Sequence, residues 1–61
     1  MTADLMTVKE TAEYLRRTES ALRWLIYTEV APPHAKLGGR IYFRRSDVDA
    51  WVDRQFAKET A

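Results

Sequence analysis

At 61 residues the chain has room for one small domain and none for a multidomain enzyme. Its 46% hydrophobic and 31% charged content is that of a chain that folds, while the lack of cysteine and the single histidine, His34, exclude disulfide staples, Cys-and-His zinc sites and c-type haem attachment. The net charge of +1 conceals a segregation: Arg16, Arg17, Arg23, Lys36, Arg40, Arg44 and Arg45 face only Glu19 and Glu29 in the middle of the chain, and both ends are acidic. A basic middle of this kind suits a polyanion or, equally, a solvated surface.

No apolar run approaches the roughly 18 residues that span a bilayer, and the N-terminus has neither the basic nor the apolar region of a signal peptide. A cytoplasmic protein is the expectation.

Thr7 followed by Glu10 has the spacing of a capping box, and it predicts a first helix from Val8 to Arg16. Val8, Thr11, Ala12 and Leu15 form its inward stripe; Lys9, Glu10 and Glu13 point outward. Thr18 is a second N-cap, with Glu19 in the first turn where its charge complements the helix dipole. In this second helix Leu22, Leu25 and Ile26 point inward, and Ser20, Arg23, Trp24 and Tyr27 form an exposed, aromatic face. The helix fades near Glu29, before Val30-Ala31-Pro32-Pro33, because a residue preceding proline favours extended geometry.

Lys36-Leu37, Gly38-Gly39 and Arg40 to Arg44 read as a hairpin, since the paired positive φ angles of a two-residue turn are least strained at glycine. Ile41 and Phe43 share one face; Arg40, Tyr42 and Arg44 share the other. A third helix starts within two residues of Ser46, with Val48, Trp51, Val52 and Gln55 inward and Phe56 at the edge. Trp51 is assigned to the core and His34 to a surface loop, and the tail from Ala57 to Ala61 is expected to fray. The predicted fold is α+β: a small winged helix-turn-helix of three helices with a β-hairpin wing between the second and third. Its ordered part is about residues 5–57.

Catalysis has no support. One histidine on a loop builds no Ser-His-Asp set, Gly38-Gly39 is a turn rather than a phosphate loop, and the acidic residues read as caps and solvated faces. No cofactor, no metal and no enzymatic activity are expected.

Three stretches carry a resemblance: Thr7-Val8-Lys9-Glu10-Thr11-Ala12-Glu13-Tyr14-Leu15, Lys36-Leu37-Gly38-Gly39-Arg40, and Arg45-Ser46-Asp47-Val48-Asp49-Ala50-Trp51. In order and spacing they resemble the excisionase and AlpA-like group of MerR-type winged helix proteins, over residues 6–55. That group often has a turn such as GVS between its first two helices, where this chain has Arg16-Arg17-Thr18, and a glycine after the second, where it has Thr28-Glu29-Val30.

The resemblance implies a recognition helix carrying Thr18, Glu19, Ser20, Arg23, Trp24 and Tyr27, and a wing carrying Lys36, Gly38, Gly39, Arg40 and Tyr42. Thr7, Arg16, Arg17, Arg44 and Arg45 are the candidates for phosphate contact. Arginine suits such a site because its fork binds guanine O6 and N7, or a phosphate, with two hydrogen bonds. The implied function is sequence-specific binding of double-stranded DNA as an excisionase, or recombination directionality factor. Such a protein bends attachment-site DNA beside neighbouring copies of itself and biases an integrase, a tyrosine or serine recombinase, toward excision. Two alternatives stand beside it: a small prophage or mobile-element transcriptional regulator, and a protein-interaction module anchored by Trp24, Tyr27 and Phe56.

Overall fold

Thr7 both ends a strand and starts a helix. Its hydroxyl accepts from the Glu10 N–H at 3.1 Å and its own N–H donates to Glu10 Oε1 at 2.9 Å, closing the capping box. In the computed structural model, which describes residues 4–60, the chain forms β1 (Leu5–Thr7), α1 (Val8–Tyr14), α2 (Glu19–Tyr27), β2 (His34–Leu37), β3 (Arg40–Arg44) and α3 (Arg45–Thr60). This is the small α+β winged helix-turn-helix, with β2 and β3 forming the wing.

The two short helices end in the same way. After α1, Arg16 takes a left-handed φ of 59°, and the N–H groups of Arg16 and Arg17 donate to the carbonyls of Glu13 and Ala12 at 3.0 and 2.8 Å. After α2, Glu29 takes φ 64°, and Glu29 and Val30 donate to Ile26 and Leu25 at 3.1 and 3.0 Å. Both are Schellman closures, which satisfy carbonyls the helix leaves open. They stop α1 at Tyr14, two residues short of the expected Arg16. A non-glycine residue at positive φ is strained because its Cβ crowds the following carbonyl.

Gly38 and Gly39 adopt φ of 57° and 87°, the pair of positive angles that a tight hairpin needs. All three strands are antiparallel, in the order β1-β3-β2. On β3, Phe43 stands opposite Met6 on one side and His34 on the other. β1 is absent from the sequence reading, because three residues are too short to show a period of two. The reading of His34 as a loop residue is corrected: it opens β2, its Nδ1 donates to the Pro32 carbonyl at 2.8 Å, and its ring lies 5.3 Å from that of Phe43.

Val8, Ala12, Leu22, Phe43 and Val48 form the core, with Met6, Leu15, Leu25, Ile26, Ile41 and Val52 packed around it. Thr11 is fully buried among them, and its hydroxyl has no hydrogen-bond partner among the described residues. Trp51 does not join this set. It is half-buried on the flank of α3, because Val48 and Val52 already fill the space beneath that helix. α3 also continues past Ala57 to Thr60, where Lys58 favours the negative end of the helix dipole and the Thr60 hydroxyl donates to the Phe56 carbonyl at 2.8 Å.

The left-handed Glu29 yields a direct test. Glu29→Gly relieves the Cβ strain and is expected to raise unfolding stability by about 0.5–1 kcal/mol, read as a shift of the urea midpoint at constant slope.

Candidate nucleic-acid interface

The exposed face of α2 is fixed by its cap and its period. The Thr18 hydroxyl accepts from the Ala21 N–H at 3.1 Å and starts the helix. From there, about 100° per residue turns Leu22 into the core and Ser20, Arg23, Trp24 and Tyr27 outward. Trp24 is 62% and Tyr27 80% exposed, their ring centroids 5.8 Å apart.

A groove of about 450 Å³ runs between the start of α1, the first turns of α2 and the wing, lined by Thr7, Lys9, Glu19, Arg23, Arg40 and Ile41 among others. Three cations meet one carboxylate there, so the groove is electropositive. Glu19 and Arg23 form an ion pair at 2.9 Å, one helical turn apart and about half exposed. Its guanidinium keeps further N–H donors for a ligand, since only Nη2 is engaged with Glu19. Lys36 stands opposite Ile41 across the hairpin and Leu37 opposite Arg40 at its tip, which puts Lys36 and Arg40 at the turn end of the sheet.

The structure brings Thr7, Glu19, Arg23 and Arg40 to one surface and sends other sequence-predicted residues elsewhere. Thr7 has both its N–H and its hydroxyl engaged with Glu10. The half-buried Tyr42 and the exposed Arg44 line a separate hollow on the outer sheet face with Leu5 and Leu37, and Arg44 Nε pairs with Asp47 Oδ2 at 3.0 Å. Arg45 stacks over the Tyr14 ring at 5.2 Å, and the Tyr14 hydroxyl, with Asp49 beside it, pushes the guanidinium pKa further up. Arg16 and Arg17 line a groove against α3. Lys9 is the candidate that sequence reading missed. Its spacing on α1 shows only that it points outward, and the pairing of β1 with β3 carries it beside Arg23 and Arg40.

The arrangement is a helix with Ser20, Arg23, Trp24 and Tyr27 on its outward face, a cationic groove and a projecting hairpin, which is the docking equipment of a winged helix. A family model described as a helix-turn-helix domain matches residues 5–55, most of the chain from β1 into α3. The chain belongs to that family. This helix-turn-helix protein is therefore a sequence-specific DNA-binding protein of the excisionase and AlpA kind, in a family that is typically non-enzymatic, and its partner is double-stranded DNA. No curated protein sequence matches the chain at a significant level. No helix among the described residues is long and apolar enough to cross a membrane.

In this helix-turn-helix protein the turn between α1 and α2 places Arg16 in the left-handed region at φ 59°, at the expense of strain.

Arg23→Ala is expected to cost about 1–3 kcal/mol of binding free energy on a specific duplex and to leave the fold intact by circular dichroism. Equal affinity of a folded mutant on every sequence tested would remove Arg23 from base recognition.

Proposed function

We propose that this protein is an excisionase-type recombination directionality factor. It binds repeated sites beside an attachment site, bends the DNA and biases an integrase toward excision, acting in the cytoplasm on bacterial or phage-derived DNA. The observation that carries the reading is the groove in which Arg23 of α2 and Arg40 of the wing converge with Lys9. Family membership supports it at the level of DNA binding.

The roles divide by geometry. Arg23, on the outward face of α2 with Ser20 beside it, is the base reader, since an arginine in the major groove recognises guanine bidentately. Lys9, Lys36 and Arg40 are phosphate contacts, which fix the position of the protein on the duplex without reading sequence. Trp24 and Tyr27 supply apolar contact surface along the same helix.

Four cations at phosphates or bases predict a fall of log K with log salt of slope about −3 to −4 per protomer. Arg40→Ala should reduce the slope by about 1 and weaken all sequences alike. A slope near zero in a salt titration would exclude a phosphate-dominated interface.

One recognition helix and one wing bury only roughly 600–1,000 Å² of protein surface. Bending a site costs on the order of 1–6 kcal/mol, which several adjacent copies share. Side-by-side binding on repeated sites follows. The protein is expected to sediment as a monomer alone, to fill tandem sites with positive cooperativity and to give position-dependent mobility in a bending assay. With a cognate recombinase it should raise the yield of excised product. Independent filling of sites without a bend, together with repression of a nearby promoter, would favour the transcriptional regulator.

A further inference from the structure

We infer that the groove between the α1–α2 turn and α3 is a docking site for an amphipathic helix of a partner protein, one that carries acidic residues beside its apolar stripe. The groove has a volume of about 690 Å³. Its floor and walls are Leu15, Leu25, Trp51, Val52 and Phe56, and Arg16 and Arg17 stand on its rim. It shares no lining residue with the groove that holds Arg23 and Arg40. On α2, Leu25 lies about 200° around the helix from Arg23, at about 100° per residue, so a guest here and a duplex at the recognition face occupy opposite sides of the same helix.

Three features identify the guest. The wall formed by α3 runs from Asp49 to Phe56, about 10 Å or two helical turns. That is the length over which apolar side chains at i, i+3 or i+4, and i+7 of a guest helix insert into a groove. Phe56 is 68% exposed and Trp51 half-buried, the large aromatic side chains that serve as anchors once a partner excludes water. The rim is cationic, and Arg16 and Arg17 have no ion-pair partner among the described residues, whose salt bridges engage Arg23 and Arg44 elsewhere. Asp49, the carboxylate on the opposite wall, does not cancel this charge: it accepts from the Tyr14 hydroxyl and has Arg45 beside it. Acidic flanks on the guest therefore complement Arg16 and Arg17.

DNA is a poor occupant, because a phosphate backbone offers nothing to cover Leu15, Leu25, Val52 and Phe56. A second copy is also a poor one. The apolar hollow of the outer sheet face carries Arg44 at its edge, and the Trp24–Tyr27 strip lies on the recognition side of α2.

The test is a selection from a phage-displayed library of helix-forming peptides of about 16 residues, run against the intact protein without DNA. Enriched peptides are expected to carry the i, i+3 or i+4, i+7 apolar stripe and a net negative charge. Their affinity should fall about tenfold or more for Phe56→Ser, and likewise for Gln55→Glu, which sets a charge of the guest's own sign in the groove without removing a packed apolar side chain. The double variant Arg16→Gly/Arg17→Ser, whose glycine keeps the left-handed turn, should weaken them similarly, whereas Trp24→Ala should not. Circular dichroism of each variant checks the fold. No enrichment, enriched peptides that are basic, or peptides indifferent to both groove variants would overturn the inference. So would a large loss of duplex affinity in the arginine double variant, which would give the rim to DNA. The selection contains neither DNA nor recombinase, so its failure is distinct from failure of an excision assay.

Discussion

Phe43 is the side chain on which the other positions depend. It is fully buried on β3, the central strand of the sheet, with Met6 opposite it on β1 and His34 opposite it on β2. A chain without cysteine has no covalent staple to replace that packing, and a domain this small has few buried side chains to share the loss. The consequence reaches the surface. Met6↔Phe43 sets the register that carries Thr7 and Lys9 to the groove, and Arg40 begins the same strand three residues before Phe43. A slip of one residue would turn the inward side chains outward and separate Lys9 from Arg40 together with the core.

Local rules made the helix starts and the turn legible. Capping needs only a hydroxyl and a carboxylate three residues apart, or a lone hydroxyl, so Thr7 and Thr18 announce α1 and α2, and two adjacent glycines announce the hairpin. Helix ends were less legible because Arg16 and Glu29 reach the left-handed conformation without glycine. β1 was too short for a periodic signal, and Trp51 looked like core by spacing when the core beneath α3 was already filled by Val48 and Val52. His34 looked like loop because Pro32 and Pro33 precede it, and its strand character comes from pairing with Phe43.

The candidate site shows the same division. Arg23 and Arg40 could be singled out because an outward helix face and a hairpin tip are visible in sequence. Lys9 could not, since its approach to them is tertiary. The basic middle, one block along the chain, is divided in space among the recognition groove, the outer sheet face and the groove against α3.

That division bears on how the protein discriminates among sequences. Non-specific attraction to DNA grows with the number of phosphates neutralised, and here Arg44 is paired to Asp47, Arg45 is held over Tyr14, and Arg16 and Arg17 face α3. The groove between α2 and the wing keeps three cations and offsets one of them with Glu19. An exposed pair such as Glu19–Arg23 is worth at most about 1 kcal/mol, so in the proposed role of Arg23 a well-placed guanine competes with it at little cost, while a duplex that offers no bidentate partner leaves Arg23 paired to Glu19. In that proposed role the groove limits the sequence-independent part of the affinity and leaves the difference between sites to Arg23 and the shape that the wing can follow.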